Sequence, residues 1–147
     1  MKKPVLLFLF ILFFSTSASA KECTVALEEK ANANIGMMDR GWESIYEYYQ
    51  KYGPCVDGGL WEATSDEVVK MLSNRWDELP ILEKLVTKDK KFKLFVANNI
   101  TATVGSDELF KIHENATKHC PKNSLALCKT IDRESLISYR EILENRK

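Results

Sequence analysis

The side chains best placed to do chemistry cluster between Pro54 and Asp66. Asp57, Glu62 and Asp66 supply three carboxylates, and Trp61 supplies a large aromatic surface. Asp57-Gly58-Gly59 permits a tight chain reversal. Paired carboxylates are what a glycosidase uses as acid and base, so one reading is a small hydrolase of cell-wall or extracellular polymer. With 21 acids in the chain, clusters of three also arise by chance. The favoured reading is a contact surface. Trp61 is expected to stand exposed, and tryptophan and tyrosine at interfaces bury much area at low entropic cost. Tyr48 joins it, because it falls off the stripe formed by Trp42, Ile45, Tyr46, Tyr49 and Tyr52 and should face solvent. Asp57, Trp61, Glu62 and Tyr48 are therefore the predicted binding residues. The opposing reading makes this segment a structural Ω-loop stapled at Cys55, with Trp61 folded back on the core.

Other chemistries find little in the sequence. No lysine of the phosphate-binding type follows the glycines, and Asp57-Gly58-Gly59 lacks the further spaced acids of a calcium loop. His113 and His119 sit six residues apart, a poor spacing for two ligands on one helical face. There is no Gly-x-Ser-x-Gly nucleophile motif. No metal or cofactor is predicted. Sequons occur at Asn99-Ile100-Thr101 and Asn115-Ala116-Thr117, and would matter only in a eukaryotic secretory pathway.

Residues 1–20 have the three parts of a cleavable signal peptide. Lys2 and Lys3 are followed by an apolar run from Val5 to Phe14, and then by Ala18-Ser19-Ala20 at the expected cleavage point. Ten apolar residues span about 15 Å as a helix, roughly half of a hydrocarbon core. The mature chain, 21–147, is expected as one domain in the periplasm or the medium, with no stable membrane insertion. This leader holds two lysines and no acid, so its loss turns a net charge of zero into −2. That balance argues against a nucleic-acid partner, which selects a basic excess. All four cysteines, Cys23, Cys55, Cys120 and Cys128, lie in the exported part, where an even count favours two disulfides. Cys23–Cys55 with Cys120–Cys128 is preferred because each joins neighbouring elements; the two cross-pairings remain open.

The elements that must position these groups read as helices. Glu22 to Ile35 forms the first, and the aromatic stripe from Trp42 to Tyr52 the second, stopped by Gly53-Pro54. Thr64 with Glu67 fits a capping box for a helix that turns Val68, Val69, Leu72, Trp76 and Leu79 inward. Pro80 suits the first turn of the next, and Asp89 is the expected N-cap of one burying Phe92, Phe95, Val96 and Ile100. The lysine-rich run from Lys88 to Lys93 reads as the solvated start of that helix. Gly105-Ser106 precedes another, and Ser124 to Asn145 forms the last, with a break expected near Asp132. The fold class is all-α: an irregular bundle or short stack of six or seven helices, stapled by two disulfides. The function expected is that of a small exported, non-catalytic domain that docks on another exported protein, as inhibitors and immunity proteins do; the polymer hydrolase and a purely structural role in the envelope are the alternatives.

Overall fold

The computed structural model describes residues 22–101 and 103–145; the expected signal peptide lies outside them. Seven α-helices follow in order among the described residues: α1 (Val25–Ala33), α2 (Trp42–Tyr52), α3 (Gly58–Asn74), α4 (Leu79–Lys88), α5 (Lys90–Asn98), α6 (Ser106–Lys118) and α7 (Leu125–Glu144). The all-α expectation holds, and short 3₁₀ turns join several of the helices. No helix among the described residues is long and apolar enough to cross a membrane.

Side-chain periodicity explains most of the packing. α2 turns Trp42, Ile45 and Tyr46 into the core, where Tyr46 meets Phe92 of α5 edge-on at 4.8 Å. Tyr49 lies 4.8 Å from Phe95, extending an aromatic seam between α2 and α5. Such pairs add about 0.5–1.5 kcal/mol beyond the area they bury. α6 and α7 form an antiparallel hairpin that packs on α3 through α6, with Leu109, Ile112, Cys128 and Ile131 buried. Gly41 takes a φ of +133° ahead of α2, a conformation that any side chain would strain.

Several ends are held by side chains. Asp89 accepts hydrogen bonds from the backbone N–H groups of Lys91 and Phe92, as the sequence suggested. Arg75 pairs with Glu78 and donates to the carbonyls of Asp39 and Arg40, tying the 3₁₀ turn Ile35–Arg40 to the end of α3. Asn115 donates to the carbonyls of Leu72 and Ser73, satisfying acceptors that α3 leaves open at its C-terminus.

Two disulfides close the structure, Cys23–Cys55 and Cys120–Cys128, the pairing preferred from the sequence. The first fastens α1 to the turn after α2, and the second bridges the α6–α7 connection. Such bridges persist where thiols are not kept reduced, outside the cytosol.

Four local expectations are corrected. The loop predicted to reach Ala63 is helix from Gly58 onward. Asp57 is the N-cap and accepts from the Gly58 N–H at 2.7 Å, while Gly58 adopts a φ of +49°. Thr64 is not a cap: it is buried inside α3, and its hydroxyl donates to the Leu60 carbonyl at 2.6 Å. Burial of Leu60, Thr64, Ser65 and Val68 along one face overrides the low helix propensity of the two glycines. α7 runs unbroken through Asp132, whose carboxylate faces His113 across the hairpin. α1 is shorter than expected, and Cys23 precedes it.

Candidate functional site

Starting α3 at Asp57 changes what Trp61 is. The indole stands on the first turns of a helix, partly exposed, rather than at the tip of a loop. Open grooves lie around it. One, of about 490 Å³, is lined by Val56, Asp57, Trp61, Phe95 and Asn98. A second, also about 490 Å³, runs from Trp61 and Asn98 to Ile137, Ser138 and Glu141 on α7. A third, of about 500 Å³, takes in Cys23, Cys55, Asp57 and Gly59. Asp57 borders the first and third, while Trp61 and Asn98 border the first and second. The first two, which share Trp61 and Asn98, form a furrow beside the indole, and the third shares only Asp57 with the first.

A buried polar chain holds the floor of this furrow. The Ser65 hydroxyl on α3 donates to Oδ1 of Asn99, at the end of α5. The Asn99 amide donates back to the Phe95 carbonyl at 2.8 Å. Ser138 on α7 donates to the carbonyl of Ile100 at 2.8 Å. Ser65, Asn99 and Ser138 are all buried, so each is satisfied at little further rearrangement. α3 and α7 are thereby both tied to the segment that ends α5, and a partner meets a preformed surface. Ile137, 43% exposed, adds an apolar contact to the rim.

The predicted binding residues separate in space. Asp57 and Trp61 share the furrow. Glu62 is exposed on the same helix but lines none of the three grooves. Tyr48 is a correction. It is fully buried, and its hydroxyl donates to the Ala31 carbonyl at 3.2 Å, so it offers a partner nothing. The helix turns Tyr48 under α1, which covers the side of α2 that periodicity assigned to solvent. Burial, and then the neighbouring Tyr52, push its phenol up to about 12. Burial also raises Tyr46 and Tyr49, with Asp89 adding to both.

Residues that the sequence did not point to complete the furrow: Asn98, Ile137 and Glu141. They lie some 40 to 80 positions from Trp61, and no local spacing marks them. A second arrangement was also missed. His113 Nδ1 lies 2.6 Å from Asp132 Oδ1, a carboxylate-oriented imidazole such as a general base uses. No hydroxyl or thiol is hydrogen-bonded to its other nitrogen among the described residues, and all four cysteines are in disulfides. The pair therefore reads as a link between α6 and α7.

The loop carboxylates do not converge. Glu62 and Asp66 are one turn apart on the exposed side of α3, and Asp57 is engaged as a cap. A glycosidase needs its two carboxylates on opposite sides of the bond to be cut. No group of three or more His, Cys, Asp or Glu residues among the described ones is placed to hold a metal ion. Asn99 and Asn115, the two sequon asparagines, both use their amides in hydrogen bonds. No protein-family model matches the sequence, and the curated proteins and solved structures likewise yield no match.

Proposed function

We propose that this protein is a small exported binding domain without catalysis, which docks on another exported protein through the furrow centred on Trp61. One observation carries the reading: an indole shared by two grooves, beside buried hydrogen bonds that tie α3 and α7 to the segment ending α5. Interfaces concentrate their binding energy in aromatic anchors of this kind, surrounded by groups that exclude water. Asp57, Asn98 and Glu141 supply polar groups at the rim, and Ile137 a second apolar contact. Two disulfides hold the scaffold, so little ordering is required on association. The signal-like leader and the oxidised cysteines support a partner in the periplasm or the medium.

The test uses tagged residues 21–147, which contain the whole buried core and both disulfides. The oxidised protein is used to capture partners from the native envelope and medium. A single stoichiometric partner is expected. Its binding should fall at least tenfold with Trp61→Ala and again with Ile137→Lys, while Glu62→Gln alone has a smaller effect. Capture that survives both Trp61→Ala and Ile137→Lys would refute the furrow as the docking surface.

A further inference from the structure

The corner where α4 meets α5 carries Lys84, Lys88, Lys90, Lys91 and Lys93 within ten residues. All but Lys93, which is half-buried, are exposed. The lysine ion pairs of the described residues lie elsewhere, at Lys51–Glu47, Lys70–Glu67 and Lys118–Glu114. Two acids lie among these five lysines: Asp89 caps α5, and Glu83 accepts from the Thr87 hydroxyl through Oε1 while its buried Oε2 has no partner. In a chain whose charges balance to zero, this is a local excess of cations.

Lys88 suits the C-terminal turn of α4, but two features of α5 are not explained by the fold. Lys90, Lys91 and Lys93 occupy the first turn of α5, at the positive end of its dipole, where cations are disfavoured. Among them stands Leu94, 63% exposed and one turn from both Lys90 and Lys91. Solvation alone asks for neither the cations at that end nor the bare leucine.

We propose that this corner is the face on which the protein rests on an anionic membrane surface, with the lysines at the phosphates and Leu94 entering the headgroup boundary. Charge complementarity supplies the attraction, which adds up lysine by lysine. The exposed leucine separates this occupant from a nucleic acid, whose backbone offers an aliphatic side chain nothing. The cations are all lysine, whereas base and phosphate recognition in nucleic acids favours the planar fork of arginine. The inference stands on a different surface from the Trp61 furrow.

Oxidised residues 21–147 would be sedimented with vesicles of phosphatidylcholine alone and of phosphatidylcholine with one third phosphatidylglycerol, at low and high salt. Binding is expected to the anionic vesicles only and to weaken with salt. Lys88→Gln, Lys90→Gln and Lys91→Gln together should reduce it on the order of 100-fold, and Lys84→Gln with Lys88→Gln about 30-fold. Leu94→Ala should reduce it several-fold. These substitutions lie on the surface, and circular dichroism should show unchanged helix. Equal binding to both vesicle types, or anionic binding untouched by the lysine changes, would overturn the proposal. So would duplex DNA binding as tight as vesicle binding, together with indifference to Leu94→Ala.

Discussion

The two disulfides differ in what they constrain, and the difference can be measured. Cys23–Cys55 closes a separation of 32 residues, and Cys120–Cys128 one of 8. If a bridge stabilises by limiting the unfolded chain, the loop-closure relation gives about 3.7 kcal/mol for the longer loop and about 2.5 kcal/mol for the shorter. Substitution should respect burial. Cys55 and Cys128 are buried and are best replaced by alanine, whereas Cys23 and Cys120 are more accessible and tolerate serine. Urea unfolding followed by far-ultraviolet circular dichroism would compare Cys23→Ser/Cys55→Ala with Cys120→Ser/Cys128→Ala. The first pair is expected to lose more stability, by about 1 kcal/mol, and to show the larger rise in m-value as its unfolded state expands. Amide exchange should also accelerate in α1 in that variant alone. Apart from the bridge, α1 is held by buried Ala31, partly buried Leu27 and the Tyr48 hydrogen bond. Equal losses, or a greater loss at Cys120–Cys128, would refute the loop-length argument and place the stabilisation in native packing.

Alkaline pH should unfold the protein through Tyr48. Its phenol is raised from 10.0 to about 12 in the folded state, so the stability it contributes is complete below pH 10 and is lost as the pH rises towards 12. Tyr48→Phe should flatten that fall in unfolding titrations and lower stability at neutral pH by about 1 kcal/mol, since the Ala31 carbonyl keeps only the Asn34 N–H as donor; an unchanged alkaline profile would contradict this. Expression in a host that attaches N-linked glycans should leave Asn99 unmodified by intact-mass measurement, because its amide is buried and donates to Phe95. Asn99→Ala should cost about 1–3 kcal/mol in thermal or urea unfolding, as the Ser65 hydroxyl is left unpaired. Gly59→Ala should raise stability by about 0.5–1 kcal/mol, since an added methyl group meets nothing within 4 Å; a fall in melting temperature would show the site is not open.

Helical periodicity carried most of the fold into view. The stripes of α2 and α5 lie where spacing put them, and Asp89 caps α5 because an acid ahead of an apolar stripe has a backbone donor to satisfy. The failures share a cause. Gly58-Gly59 and Thr64-x-x-Glu67 are strong local signals for a loop followed by a helix start, yet burial of Leu60 and Ser65 is a tertiary gain that local signals do not contain. Tyr48 was assigned to solvent from the periodicity of α2 alone, and the covering element, α1, is visible only once the Cys23–Cys55 bridge is closed. Asp57 and Trp61 were legible as site residues because their types are unusual together. Asn98, Ile137 and Glu141 were not, since an exposed amide, an isoleucine and a glutamate are ordinary until the fold sets them beside an indole.

The two proposed surfaces meet on one short helix. α5 has nine residues and is therefore about 13 Å long. Its N-terminal half holds Lys90, Lys91, Lys93 and Leu94, and its C-terminal end supplies Asn98 and Asn99 to the furrow. A protein seated on a membrane by the first end would hold the Trp61 furrow within one short helix length of the lipid, where it would meet partners anchored in or close to that surface. The surfaces nevertheless remain separable by substitution. Trp61→Ala should weaken capture at least tenfold and leave vesicle binding intact, whereas the lysine changes should weaken vesicle binding and leave capture in solution intact. Loss of both activities from either set would mean that α5 transmits a structural change, and the two surfaces would then have to be regarded as one.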